Sequence, residues 1–261
     1  MIYPKKSLGQ NFLHDKNIIN KIINLKDIQN RNVLEIGPGT GNLTNEILIR
    51  KPKTLTLIEK DNALTRVLVK KFINYKNVKI INKDFMKINL DKILKEKSII
   101  FGNLPYNLSS QILVKLISDV AWPPKFSDLI LMFQKEVADK IIGKSYGRLS
   151  ILANFRLKFL KSFEVSPNCF NPRPKVISKV IHLVPNMNKN SIIKKIANLE
   201  LVTNILFSNR RKMINKNIHK ILDKKQIERL KLNTSKRPEN IDPEMFYKIT
   251  NLFEKEKKFY D

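Results

Sequence analysis

Short runs of aliphatic and β-branched residues recur along the first half of the chain, at Asn32–Gly37, Thr54–Glu59, Val78–Asn82, Ser98–Asn103 and Asp128–Phe133. Between them lie segments with helical apolar spacing, such as Leu43–Arg50, Ala63–Phe72 and Ser110–Val120. Strands that alternate with helices pair in parallel, because only a crossover of that length returns the chain to the same edge. The expected core is therefore a parallel sheet with helices on both faces, an α/β architecture. Two longer extended segments are expected at Ser150–Phe159 and Val176–Val184. Their connection, Ser162–Lys175, is short and holds three prolines, which suits an antiparallel pair at one edge.

Around Pro185–Lys189 the pattern changes. From Ser191 to Asp261 the apolar residues keep helical spacing: Leu201, Ile205 and Leu206, then Ile214, Ile218, Ile221 and Leu222. Pro238 and Pro243 punctuate two later segments, and Glu254–Lys258 reads as a solvated helix end. The expected division is an α/β domain over 1–185 and a small all-helical domain over 186–261. The apolar stripes of the second read as core.

Composition narrows the class. At 261 residues and 42% hydrophobic, the chain can bury a substantial core. A single cysteine, Cys169, excludes an internal disulfide framework and a cysteine-rich zinc site. The histidines His14, His182 and His219 match no metal-ligand spacing, so no metal is expected. No run approaches the roughly 18 apolar residues that span a membrane, and MIYPKKSLGQNF lacks the apolar core of a signal peptide. A reducing, cytoplasmic setting is expected. The net charge of +27, from 50 Lys+Arg against 23 Asp+Glu, points to a polyanion such as RNA or DNA. A general compositional bias toward Lys, Asn and Ile is the competing reading of that charge.

The stretch Phe101–Ser109, FGNLPYNLS, carries the chemistry. Asn103 offers an amide oxygen, Leu104 a carbonyl stiffened by Pro105, and Tyr106 an aromatic plate. An exocyclic base amine is a poor nucleophile because its lone pair is delocalised into the ring. Two acceptors on its N–H groups favour the pyramidal, reactive geometry, and a ring beside it can stack on the base. Upstream, Val33–Gly41 reads as a strand running into the glycine turn Gly37, Gly39, Gly41 and then a helix, letting a ligand approach the backbone closely. Glu59, at the next strand end, is placed for the hydroxyls of a ribose, and Asp84, closing the third, for an adenine amine. Together they form a nucleoside site. Gly143-Lys144-Ser145 matches the end of a Walker motif, but Ala138 stands where the first glycine is required, which excludes triphosphate binding there.

In these motifs the chain resembles the small-subunit ribosomal RNA adenine N6,N6-dimethyltransferases. The likeness runs nearly end to end: Lys6–Leu13, the glycine turn, FGNLPYNLS, Gln134–Val137, Tyr146–Ser150, Phe170–Val176, Asn209–Lys212 and Arg237–Glu239. It implies a Rossmann-like class I methyltransferase domain, a mostly parallel seven-stranded sheet with an antiparallel edge. It implies S-adenosylmethionine as donor, with Asn11 and Leu13 touching it largely through backbone. Gly37 and Gly39 would lie along the donor, Glu59 would hold its ribose and Asp84 its adenine, and Asn103 would stand where donor and target meet. Leu104 and Pro105 complete the acceptor loop, and Tyr106 and Phe170 would be two aromatic walls around an extruded adenine. One departure is Ile177, where the family commonly has Asp.

The implied partner is small-subunit ribosomal RNA or a precursor of that subunit, with Arg210, Arg211 and Lys212 on phosphates and a monomer as the expected state. Three other readings stand beside it: a large-subunit rRNA adenine methyltransferase of the antibiotic-resistance type, a non-catalytic ribosome-assembly or transcription factor, and a DNA adenine methyltransferase.

Overall fold

The computed structural model describes residues 9–143, 146–189 and 193–257. Lys6, Ser7 and Leu8 of the first motif, Lys144 and Ser145 of the Walker-like match, Ser191 and Lys258 lie outside the described residues. In chain order the elements of the first part are β1 (Phe12–Leu13), α1 (Lys16–Ile23), β2 (Asn32–Ile36), α2 (Asn42–Ile49), β3 (Thr54–Glu59), α3 (Asn62–Phe72), β4 (Val78–Asn82), β5 (Ser98–Asn103) and α4 (Ser109–Ser118). Then come β6 (Phe126–Gln134), α5 (Lys135–Ile141), α6 (Arg148–Arg156), β7 (Leu157–Val165), β8 (Phe170–Asn171) and β9 (Ser178–Pro185). The C-terminal helices are α7 (Ile196–Phe207), α8 (Asn215–Ile218), α9 (Lys224–Arg229) and α10 (Pro243–Lys257).

The chain forms two compact units. The first runs to Ala138 and resumes over Leu157–Pro185; the second joins Asp139–Arg156 to the chain from Asn186 onward. The chain thus leaves the sheet at Pro185, but the helical unit also draws in a segment from before β7.

In the first unit the sheet order is β4-β3-β2-β5-β6-β9-β7. The pairings β4–β3, β3–β2, β2–β5 and β5–β6 are parallel, whereas β9 pairs antiparallel with both β6 and β7. This is the mostly parallel seven-stranded sheet with an antiparallel edge. Successive connections from β2 pass to opposite sides, to β3 and toward β5, so a crevice opens at the carboxyl ends of those strands. Apolar side chains pin the sheet: Leu55, Leu57, Ile99 and Phe101 are buried against Ile47, Leu68 and Phe72 of α2 and α3. Asp61 starts α3 by accepting from the Ala63 and Leu64 N–H groups at 2.7 and 3.2 Å.

Part of the expected extended segment Ser150–Phe159 is helical instead. Residues up to Arg156 form α6, and the strand starts at Leu157. The run Ile151-Leu152-Ala153 is buried along with Phe155, and a continuous apolar run fits a buried helix as readily as a strand. The surroundings decide: α6 packs on α7, and the Tyr247 hydroxyl of α10 donates to the Ile151 carbonyl at 3.1 Å.

Candidate active site

A cleft of about 320 Å³ opens over the carboxyl ends of β2, β3 and β5. Its floor is the turn after β2. Gly37, Gly39 and Gly41 all have positive φ, +67°, +58° and +79°, which a side chain would strain. At Gly39 space forbids one as well: a Cβ would stand 2.9 Å from the Phe12 ring, which lies over the turn. Residues 9–13 thus lie along the cleft, and Asn11 and Leu13 line it.

Two carboxylates stand at neighbouring strand ends. Glu59 closes β3 and is almost fully buried. Its two oxygens accept from the Asp61 and Gly39 N–H groups at 2.9 and 3.1 Å, tying the glycine turn to the strand end. Burial pushes its pKa up, against the pull of those backbone hydrogen bonds. Asp84 sits beyond β4, where it accepts from the Met86 N–H at 3.0 Å and from the Lys60 ammonium at 2.8 Å. The Lys60 hydrogen bond holds it below its ordinary value.

On the other side, Asn103 ends β5. Its amide nitrogen donates to the Asn11 carbonyl at 2.9 Å. That bond fixes the amide's rotation and leaves its oxygen with no donor among the described residues. The Leu104 carbonyl also accepts no hydrogen bond from a described residue, while that of Pro105 closes the turn by accepting from Leu108 N–H at 3.0 Å. Tyr106 lines the same wall, and its hydroxyl is 2.5 Å from Ser178 Oγ at the start of β9. Its ring is thus anchored at the far end. Two acceptors without a donor among the described residues and an aromatic plate stand together, an arrangement able to grip a planar amine.

Of the residues singled out from sequence, Asn11, Leu13, Gly37, Gly39, Glu59, Asp84, Asn103, Leu104, Pro105 and Tyr106 all line this one cleft. Phe170 does not. It is 3% exposed, pairs with Leu13 in the two-stranded β1–β8 sheet and packs in the hydrophobic core. The structure places Phe170 against β1, outside the lining of the cleft. Ile177 is 42% exposed just before β9. Reading the sequence passed over three residues. Glu35, Asn42 and Ser178 matter here through partners distant in sequence: Asn42 donates to the Leu13 carbonyl at 2.8 Å. Only Glu35 left a local signal, a charge inside the apolar strand Val33–Ile36 just before the turn. Among the described residues, no cluster of three or more His, Cys, Asp or Glu could hold a metal ion.

A family model described as "Ribosomal RNA adenine dimethylase" matches residues 3–255. The chain belongs to that family. Among curated relatives, "Ribosomal RNA small subunit methyltransferase A" of Pelagibacter ubique is 44% identical, covering 97% of this chain and 98% of the relative. The protein of that name in Mesomycoplasma hyopneumoniae is 40% identical, covering 95% and 94%. Among solved structures, a dimethyladenosine transferase from Plasmodium falciparum superposes with a TM-score of 0.78 at 27% identity, covering 94% of this chain and 98% of that one. The 23S rRNA methyltransferase ErmE, at a TM-score of 0.68 and 21% identity over 94% and 100%, shares the fold.

Proposed function

We propose that this chain dimethylates the exocyclic N6 amine of adenines, two adjacent ones, in small-subunit ribosomal RNA, with S-adenosylmethionine as donor. The observation that carries the reading is the locked Asn103 amide beside Tyr106, its oxygen and the Leu104 carbonyl both without a donor among the described residues. Family membership supports the reaction, and relatives named for the small subunit support the choice of subunit.

The cleft fits the donor. Its volume lies in the range of small-molecule sites, glycines bring backbone to its floor, and carboxylates stand where a ribose and an adenine need acceptors. When bound, S-adenosylmethionine supplies a methyl group already activated on a sulfonium, so no covalent enzyme intermediate is required. Gly37 and Gly39 let the backbone approach its methionine portion, while Asn11 and Leu13 close over it. Glu59 keeps lone pairs for the ribose hydroxyls, and Asp84 accepts from the adenine amine once Lys60 yields. The target base stacks on Tyr106 after leaving its helix, since its edge must reach the cleft. Asn103 Oδ1 and the Leu104 carbonyl accept from its amine and aim the nitrogen lone pair at the methyl group. The amine becomes acidic once methylated and loses its proton to water.

The basic chain, with Arg210, Arg211 and Lys212 exposed in the helical unit, holds the RNA through phosphates. We place this activity in the cytoplasm, in a monomer acting on a precursor of the small subunit. Among the described residues no helix is long and apolar enough to cross a membrane. The deciding experiment supplies labelled S-adenosylmethionine to unmodified small subunits and analyses nucleosides by mass. Dimethyladenosine in the small-subunit RNA supports the reading. Transfer only to large-subunit RNA or to DNA overturns the choice of substrate, and transfer to none overturns the enzyme.

A further inference from the structure

Ser178 opens β9 and plays no part in the mechanism above. It is wholly buried. Its backbone is fixed from two sides, paired with Gln134 of β6 and with Val165 of β7. Just before it, the Ile177 carbonyl accepts from the Lys135 N–H at 2.9 Å. The Ser178 hydroxyl is therefore held at a fixed point by the sheet. Tyr106, by contrast, lies in the turn between β5 and α4, where no strand ladder holds it. Two side-chain bonds hold it instead. The Ser109 hydroxyl donates to its carbonyl at 3.2 Å, and its own hydroxyl meets Ser178 Oγ at 2.5 Å. No other described residue hydrogen-bonds the Tyr106 hydroxyl. Burial pushes the pKa of that hydroxyl up, against the pull of the Ser178 bond, so it stays a neutral phenol. A ring attached only through Cβ moves with its χ angles. One tethered through its hydroxyl as well keeps a single plane along the cleft wall.

We infer that Ser178 is a positioning residue, acting through Tyr106, whose main effect falls on the second methyl transfer to each adenine. The inference rests on the reaction proposed above. In the first transfer the N6 nitrogen carries two hydrogens, one for Asn103 Oδ1 and one for the Leu104 carbonyl. Those two bonds by themselves orient the amine. Its lone pair forms the new N–CH3 bond as the S–CH3 bond breaks. The sulfur keeps that bonding pair, and the surplus proton on nitrogen passes to water. The N6-methyladenine so formed has one N–H left. It satisfies one of the two acceptors, and its methyl group makes no hydrogen bond to the other. Orientation in the second transfer then depends on the face of the base, and so on the plane of the ring it stacks against. A tilt that two hydrogen bonds correct in the first step goes uncorrected in the second, and rate falls steeply as the reacting atoms are misplaced. The Ser178 tether thus supplies the second step with the constraint that the first methylation removes.

The test is a time course on unmodified small subunits, with enzyme and labelled S-adenosylmethionine in excess and monomethyl- and dimethyladenosine resolved by nucleoside mass. The wild-type protein is compared with Ser178→Ala, Ser178→Thr, Tyr106→Phe and the double variant Ser178→Ala with Tyr106→Phe. In Ser178→Ala the first transfer is expected to slow by no more than a few-fold and the second on the order of tenfold or more, so monomethyladenosine accumulates. Ser178→Thr restores a hydroxyl and with it dimethyladenosine. Tyr106→Phe keeps the ring and removes the same bond from the other side, so it accumulates the same intermediate. The double variant is no worse than either single one. Donor affinity by calorimetry stays at the wild-type value, which a general loss of structure would not allow. Equal slowing of both transfers, a wild-type product ratio, or additive losses in the double variant overturns the inference. Should Ser178→Ala not fold, the product ratio of Tyr106→Phe decides. A wild-type protein that methylates no adenosine, or stops at monomethyladenosine, overturns the proposed reaction itself, a distinguishable failure.

Discussion

Asn103 concentrates the argument at the scale of the residue. Its amide is pinned through nitrogen to the Asn11 carbonyl, so in the proposed role its oxygen is pre-aimed and needs no reorganisation during transfer. Replacement by Ala removes one of two oriented acceptors while leaving Glu59 and Asp84 untouched. Methyl transfer is expected to fall on the order of 10²-fold, with donor affinity within a few-fold of wild type by calorimetry. Unchanged single-turnover rates would remove Asn103 from the chemistry. Glu35 supplies a second prediction, on stability. Its unfolded carboxyl ionises near 4.5, whereas the folded one keeps its proton to about 8. Between those values the folded state holds more protons, so donor-free stability falls as pH rises and then levels. Melting curves of Glu35→Gln should lack that decline; parallel profiles for the two proteins would contradict the placement of the proton. The places of Asn103, Glu59 and Asp84 in the cleft were legible because each stands at or just beyond a strand end, where side chains reach the crevice. The protonation of Glu35 was not, because it depends on Thr44, Glu59 and Lys71 closing around it.

Elements show where local pattern suffices. The strand runs near Thr54–Glu59, Val78–Asn82 and Ser98–Asn103 form as read, since β-branched residues flanked by turn residues admit few alternatives. Ser150–Phe159 misled because its apolar run has no period, and a helical neighbourhood claimed its first part. β1 and β8, two residues each, have no sequence signature; each exists because the other lies against it. The start of α7 makes the same point. Lys195 at its N-cap provides no side-chain cap. Glu254 of α10 substitutes, accepting from the Lys194 and Lys195 N–H groups at 2.8 and 2.9 Å and from Asn198 Nδ2 at 2.9 Å. Glu254→Ala should cost about 1–2 kcal/mol, read by denaturant unfolding. A loss below about 0.3 kcal/mol, no more than an exposed substitution costs, would show that water caps α7 as well.

Charge acts on the whole molecule. A net +27 makes association with RNA a counterion-release process. Affinity for small-subunit RNA should fall roughly a thousandfold between 50 and 200 mM salt, measured by filter binding. A salt-independent affinity would mean that the lysines reflect compositional bias alone. The sequence by itself determined the sheet's order of chemistry: β-branched runs, a glycine turn that tolerates positive φ, carboxylates at strand ends and Asn103-Leu104-Pro105-Tyr106. Those features are local, set by dihedral preferences and by a period of two, and need no partner. Tertiary structure decided the rest: that Asp139–Arg156 joins the helical unit, that Phe170 is buried against Leu13, that Ser178 anchors Tyr106 and that Glu254 caps α7. Each depends on which surfaces meet within its own unit, and burial is a property of neighbours that no single stretch of chain contains.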